Sequence, residues 1–486
     1  MSVSPPPPYG PVPSARQLGW HRRELYGFLH FTVNTFTDKE WGYGDESPEL
    51  FAPSAFDPEQ IVRAAADGGL TGLILTCKHH DGFCLWPSRY TEHSVKNSAW
   101  RGGKGDVVRE LSDACRAHGL AFGVYLSPWD RNHAEYGGPA YLEYFRNQLN
   151  ELTSEYGELF EVWFDGANGG DGFYGGARET RRIDRRCYYD WPNTWQIVRR
   201  NQPDAVMFSD AGPDVRWVGN EKGIAGDPCW ATLCAHALYP GFGGDDWVTQ
   251  QESDMVKAWG SCRAMLGTGD RNGDCWVPAE CDVSVRPGWF YHASEDDRVR
   301  TPENLLALYY ESVGRGASLL LNLPPDRRGR LHEKDVSSVL AFRRRRDEIF
   351  GNNLALGASL SASNTRGGND AFAAARVVDG DPATYWSTDD DTRRADLVLT
   401  LPEPVTFNVV DIREHVALGQ RVDRFALHVD ANGEWREYGS GSSIGTRRLL
   451  RSRSCTTRRV RFRVAKAAAC PAISAFGLFY DGGAID

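Results

Sequence analysis

The chain has 486 residues, enough at ~150 residues per domain for two or three domains. Its 41% hydrophobic and 25% charged residues exclude disorder and collagen-like repeats, and no window of ~18 uninterrupted apolar residues is present to span a bilayer. The net charge of −10, from 65 acidic against 55 basic residues, argues against nucleic acid or an anionic membrane as partner and for a neutral ligand.

The first residues, Met-Ser-Val-Ser followed by Pro5 to Pro8, carry neither a basic n-region nor an apolar h-region, so a cytoplasmic location is expected. Leu25 to Val33 reads as a first strand, and Ile61, Val62, Ala65 and Ala66 share one face of a helix after Pro58. Gly72 to Cys77 is a buried strand. A helix follows, with Val107, Val108, Leu111, Ala114 and Cys115 on one face and Gly119 closing it. The period repeats in the strand Leu120 to Leu126, the helix Tyr141 to Tyr156, the strand Leu159 to Phe164, the helix Trp195 to Arg200 and the strand Ala205 to Ser209. A helix near Pro302 to Val313, the strand Ser318 to Leu323 and a helix ending near Phe350 complete it. Such alternation over more than 300 residues predicts an α/β fold, a (β/α)8-like TIM-type barrel over residues 1–350, with a doubly wound sheet as the alternative.

From residue 351 to 486 the texture changes. Leu397 to Leu401, Val405 to Ile412, Phe425 to Val429 and Val460 to Val464 alternate apolar and polar residues between Gly, Asn, Asp and Pro, which predicts an all-β sandwich domain. The runs Arg343 to Arg346, Arg447-Arg448 and Arg458-Arg459 read as solvated charge. The eleven cysteines are scattered without disulfide or zinc spacing, so free thiols and no bound metal are expected.

Polar clusters stand immediately after the predicted strands: His79-His80-Asp81, Ser127-Pro128-Trp129-Asp130, Asp165-Gly166 and Ser209-Asp210. In a parallel barrel these strand ends carry the active site. An ionised Asp165 beside Trp163 and Phe164 is costly unless it works or is paired. His30, His79 and His80 with Glu40-Trp41 supply hydrogen-bonding groups and an aromatic face, the equipment of a sugar site. A glycosidase needs a second carboxyl group, for which the residues offer both Glu221, in Trp217-Val-Gly-Asn-Glu221, and Glu280, in Trp276-Val-Pro-Ala-Glu280; spacing does not choose between them.

These motifs, in this order, resemble the α-L-fucosidases of glycoside hydrolase family 29. The resemblance rests on His30, Glu40-Trp41-Gly42, Lys78 to Phe83, Tyr125 before Ser127, Trp163-Phe164-Asp165-Gly166, Arg286 to His292 and Leu319 to Leu323. It implies Asp165 as nucleophile, with fucose contacts from His30, Glu40, Trp41, His79, His80, Tyr125, Trp163 and Trp289. The segment Asp210-Ala-Gly-Pro-Asp214-Val-Arg216-Trp217-Val-Gly-Asn-Glu221 looks like the branch specific for α-1,3/1,4-linked fucose of Lewis-type glycans. That likeness favours Glu221 as acid/base and leaves Glu280 to bind substrate or support the site. The family needs no cofactor, and its partner is a fucosylated oligosaccharide or glycoconjugate glycan. Fucose lacks a hydroxyl at C6, so an apolar wall is expected for its methyl group, with Phe31 or Phe83 as candidates.

The stretch from Asn353 through Val378-Asp379-Gly380-Asp381 to Trp386 resembles a discoidin-like β-sandwich, although Ala475 stands where that pattern often has a calcium-holding Glu. Two other readings follow from the same residues: a fucose-binding lectin on a disabled barrel, and a glycosidase for a related sugar such as an α-galactoside.

Overall fold

The computed structural model describes residues 3–234, 238–243 and 260–483. Eight parallel strands close into a barrel: β1 (Leu25–Leu29), β2 (Gly72–Lys78), β3 (Ala121–Leu126), β4 (Glu161–Trp163), β5 (Val206–Ser209), β6 (Val215–Trp217), β7 (Ala279–Ser284) and β8 (Ser318–Asn322). They follow one another around the ring in chain order, and β8 returns to β1 in the register Tyr26 with Leu320 and Phe28 with Asn322. The fold class is thus the expected one.

Several helices outside the barrel start where the sequence supplies a side-chain cap. Asp57 accepts from Gln60 N at 2.9 Å ahead of α1 (Pro58–Asp67), and Asp106 accepts from Arg109 N at 2.9 Å ahead of α2 (Val107–Ala117). The helices α3 (Pro139–Glu155), α4 (Trp191–Asn201), α5 (Cys262–Thr268), α6 (Pro302–Glu311) and α7 (Glu333–Phe350) belong to the same outer layer. Their apolar stripes, such as Val107, Val108, Leu111, Ala114 and Cys115 of α2, are buried in the main core between helices and strands.

Two departures from the expected alternation shape the site. The first strand ends at Leu29 rather than Val33, because Thr32 Oγ1 accepts from Asn34 N and caps a short helix, Val33–Thr37. No helix separates β5 from β6: Asp214 turns the chain directly, with its N–H on the Met207 carbonyl and its Oδ2 accepting from Met207 N at 2.8 Å. The chain after β6 is therefore free to form the rim described below.

The C-terminal sheet is antiparallel, in the order β10 (Trp386–Ser387), β15 (Ala472–Phe479), β11 (Ala395–Glu414), β14 (Arg448–Ala467), β12 (Val422–Ala431) and β13 (Glu434–Gly441), with β9 (Ser359–Ala362) paired to β11. The strands β11 and β14 span 20 residues each and bend across two faces through register shifts near Thr400 and Phe407. Arg447 and Arg448 are not solvated: they are 7% and 5% exposed and bind the barrel. Arg447 pairs with Glu24 and Asp411, and both terminal nitrogens of Arg448 meet the Asp227 carboxylate at 2.9 and 2.8 Å. Each closes the domain contact on a charge of the barrel side, which sequence reading assigned to water. All eleven cysteines are free thiols.

Candidate active site

Side chains alternate along a strand, so every second residue of a barrel strand points inward and successive inward residues climb toward the carboxyl end. On β1 these are Tyr26 and Phe28, continued by His30; on β4, Glu161 and Trp163, continued by Asp165; on β7, Glu280, Asp282 and Ser284. The aromatic members fill the barrel interior, where Trp163 stacks on Phe208 with ring centres 4.2 Å apart and 8° between planes. Above this floor lies a cavity of about 440 Å³, lined among others by His30, His79, His80, Asp165 and Glu221.

Asp165 stands at the end of β4 with its side chain a quarter exposed. Tyr125 OH donates to Oδ2 at 3.1 Å and Ala167 N to Oδ1 at 2.7 Å. Burial pushes its pKa up, and these two hydrogen bonds oppose that shift by favouring the ionised form.

The three histidines are neutral, because burial lowers His30 and His80 to about 3 and His79 well below the ordinary value. Their partners set two tautomers. Asn322 donates its amide to Ser284 Oγ and the Trp289 carbonyl, so its Oδ1 accepts from His30 Nδ1 at 2.9 Å. Ser127 donates to the Trp129 carbonyl, so its Oγ accepts from His80 Nδ1 at 2.7 Å. Both Nε2 atoms are thereby lone-pair acceptors, suited to hydroxyl donors. With His80 neutral, its 3.9 Å approach to Asp165 Oδ2 is a polar contact and not an ion pair.

The rim comes from chain segments far apart in sequence. Glu221 sits in a turn after β6 that requires Gly219: φ there is +84°, and a Cβ would lie 2.5 Å from the Arg263 carbonyl oxygen. Trp289 Nε1 donates to Glu221 Oε2 at 3.2 Å. Partial burial raises the Glu221 pKa against that hydrogen bond; the charges of Asp165 and Glu40 add to the rise, and Arg263 opposes it. Glu40 anchors the loop after β7, accepting from Trp289 N at 2.8 Å, Phe290 N at 3.2 Å and His292 Nε2 at 2.6 Å. Gly288 permits this approach, since a Cβ there would meet Glu40 Oε1 at 2.5 Å. Trp41, 52% exposed, stands edge-on to His80 and Trp129 as an aromatic flap at the mouth.

Of the eleven residues expected at the site, His30, Glu40, Trp41, His79, His80, Trp163, Asp165, Glu221 and Trp289 line the cavity, and Tyr125 reaches it through Asp165. Glu280 does not line it and is not positioned to bind substrate. It is the second residue of β7, near the amino end of the strand, and is fully buried beneath Trp163. Trp163 Nε1 donates to its Oε1 at 2.8 Å, and Tyr26 OH donates to Oε2. Burial raises the pKa of Glu280 and that of its neighbour Glu161, the latter further through the charge of Glu280. Glu280→Ala is expected to lower unfolding free energy in denaturant by about 1–3 kcal/mol, by leaving the buried Trp163 N–H unpaired and Tyr26 OH with Ser318 as its remaining acceptor, and Glu280→Gln to cost less because an acceptor remains.

Phe31 and Phe83 are also out of reach, packed at 0% exposure in the main core. Phe31 follows the inward His30 and so points outward. The apolar wall is instead Phe28, Trp163, Phe208 and Trp217. The sequence places Asp210 at a strand end without giving it a task, and Trp217, Arg263 and Asp282 were not expected at the site, although all four line the cavity. Asp282 lies two residues beyond Glu280 and Trp217 two beyond Val215, so strand parity was the available signal. Asp210 accepts from Gly241 N and Gly243 N, both at 2.6 Å, tying residues 241–243 to the site, and burial raises it to about 6.

Comparison with known proteins gives this arrangement a family. Residues 10–222 match the Alpha-L-fucosidase model and residues 359–475 the F5/8 type C domain model. The chain is 42% identical over 482 residues to Alpha-L-fucosidase 1 of Arabidopsis thaliana, covering 98% of this chain and 89% of that one. The crystal structure of a glycoside hydrolase 29 family member from an unknown rumen bacterium superposes with a TM-score of 0.84 at 43% identity, over 98% of this chain and 78% of that one. A Ruminococcus gnavus glycoside hydrolase 29 fucosidase in complex with fucose gives 0.84 at 30% identity, over 99% and 97%. The chain belongs to the α-L-fucosidases of glycoside hydrolase family 29 and carries an F5/8 type C domain at its C-terminal end.

Proposed function

We propose that the protein is a retaining exo-α-L-fucosidase that releases α-1,3/1,4-linked fucose from Lewis-type branched oligosaccharides, with Asp165 as nucleophile and Glu221 as acid/base. One observation carries the reading: a hydrogen-bonded carboxylate at the end of β4 and a second carboxyl group, in the turn after β6, share one cavity whose floor is aromatic. The closed floor suits a terminal sugar, and the neutral His30 and His80 suit its hydroxyl groups. The fucose complex of the Ruminococcus gnavus relative supports the choice of sugar. The segment from Asp210 to Glu221, with Glu221 placed directly after β6, supports the linkage class.

In the first step an Asp165 oxygen attacks C1 of the fucosyl group as the C1–O glycosidic bond breaks, and protonated Glu221 gives its proton to the departing oxygen. The product is a fucosyl ester of Asp165. A water molecule then attacks C1, giving a proton to Glu221 while the C1–Asp165 bond breaks and the carboxylate is restored. Two inversions leave the α-configuration unchanged, and the carboxyl pair of such a site is ~5 Å apart.

The test is incubation with a trisaccharide bearing α-1,3- or α-1,4-fucose beside an α-1,2-fucosylated control, following the first-formed anomer by proton NMR. Early α-fucose from the branched substrates alone is expected. Early β-fucose would exclude retention, equal release from the α-1,2 control would exclude the linkage class, and binding without release would favour a lectin.

A further inference from the structure

Asp282 is an acidic group of the cavity wall to which the mechanism above gives no task, and unlike Glu40 and Asp210 it does not tie a loop to the site through backbone N–H groups of that loop. It points inward from β7, two residues above the buried Glu280, and is 4% exposed. Trp217 Nε1 donates to its Oδ1 at 2.9 Å. Trp217 is itself part of the cavity wall, with the Arg263 guanidinium 5.6 Å from its ring centre.

We infer that Asp282 is a substrate-contacting residue whose second oxygen, as a carboxyl O–H, donates a hydrogen bond to one hydroxyl oxygen of the sugar in the cavity. With Oδ1 taken by the indole N–H, the proton resides on Oδ2. Burial pushes the Asp282 pKa well above the usual carboxylate range, a charge on Glu221 or Glu280 would push it further, and hydrogen bonds from its own backbone N–H and from Trp217 oppose the rise. A neutral carboxyl group also completes the chemistry of the cavity. His30 and His80 present lone pairs, which accept from sugar hydroxyls but cannot donate to them. A hydroxyl that gives its proton to one neighbour still has lone pairs to satisfy, and a buried donor beside it provides for that.

The proposal rests on the reading of this cavity as the fucose site, and its test separates the two. Asp282→Asn keeps a donor and an acceptor in the same shape, whereas Asp282→Ala keeps neither. With inhibition by L-fucose and by its 2-, 3- and 4-deoxy analogues as readout, Asp282→Ala is expected to weaken fucose by about 10- to 100-fold and Asp282→Asn by less than about 3-fold. For one deoxy analogue, the wild type and Asp282→Ala should bind alike, because the hydroxyl that Asp282 meets is gone. A purely structural role for Asp282 would weaken fucose and all three analogues equally, and this result would overturn the proposal. So would a loss in Asp282→Asn as large as in Asp282→Ala, which would mean that the ionised carboxylate is needed. If Asp282→Ala does not fold, the pattern is read from Asp282→Ser, which shortens the reach of the donor. Failure of L-fucose to inhibit the wild type would instead count against the fucose site itself.

Discussion

Replacement of Asp165 by Ala is expected to lower kcat by about 10⁴-fold or more, with the melting temperature nearly unchanged. The side chain is the acceptor for Tyr125 OH and Ala167 N, and it is a quarter exposed to the cavity, so water replaces it at both donors. What cannot be replaced is the covalent step. Azide admitted to the vacated space attacks C1 from the same face that Asp165 uses, so the variant should regain turnover and release β-fucosyl azide. Near-normal activity in the variant would remove Asp165 from the nucleophile role, and α-fucosyl azide would place the missing group on the other side of the sugar.

Glu221→Ala is the second large effect, and its size depends on the leaving group. On a trisaccharide whose departing oxygen needs a proton, kcat/KM should fall about 10²- to 10⁴-fold. On α-L-fucosyl fluoride, whose leaving group departs without one, kcat/KM should remain near wild type, and azide should now trap the fucosyl-enzyme as α-fucosyl azide. The pH profile carries the same assignment. Asp165 must be ionised, so kcat/KM falls as pH drops through its pKa; Glu221 must be protonated, so kcat/KM falls as pH rises through its own. Both pKa values are raised, chiefly by burial, so the bell is displaced upward from the ordinary carboxyl range of about 4. Substrate that covers the rim withdraws further water from Glu221 and moves the alkaline limb higher in kcat than in kcat/KM. Glu221→Gln should lack that limb. Azide rescue of Glu280→Ala in place of Glu221→Ala would reverse the acid/base assignment, against the burial of Glu280 under Trp163.

The barrel was legible because six of its strands are short apolar runs between amphipathic helices, from Leu25–Leu29 to Ser318–Asn322. Val215–Trp217 is only three residues long and follows β5 without a helix, so periodicity gave it no outline of its own. Ala279–Ser284 carries Glu280, Asp282 and Ser284 on its inward face, and a strand that points charge into a barrel does not look like a buried strand. That same property hid the role of Glu280: its height in the barrel follows from where the strand begins, and only the closed ring fixes that. The strand ends left a local signal, since His79, His80 and Asp165 each come at the end of an apolar run, whereas His30 fell inside the expected first strand because the cap at Thr32 was not recognised. The supporting contacts were not, because partners such as Glu40 with Trp289 N and Arg448 with Asp227 are separated by more than 200 residues and leave no local pattern.

The most direct test is to trap the intermediate. Incubation with 2-deoxy-2-fluoro-α-L-fucosyl fluoride slows both steps, and its good leaving group lets the ester form faster than it is hydrolysed. Peptide mapping by mass spectrometry should then find one fluorofucosyl group, attached to Asp165, and the adduct should be absent from Asp165→Ala. An adduct on another carboxylate, or active enzyme that releases β-fucose first and never accumulates an adduct, would contradict the account.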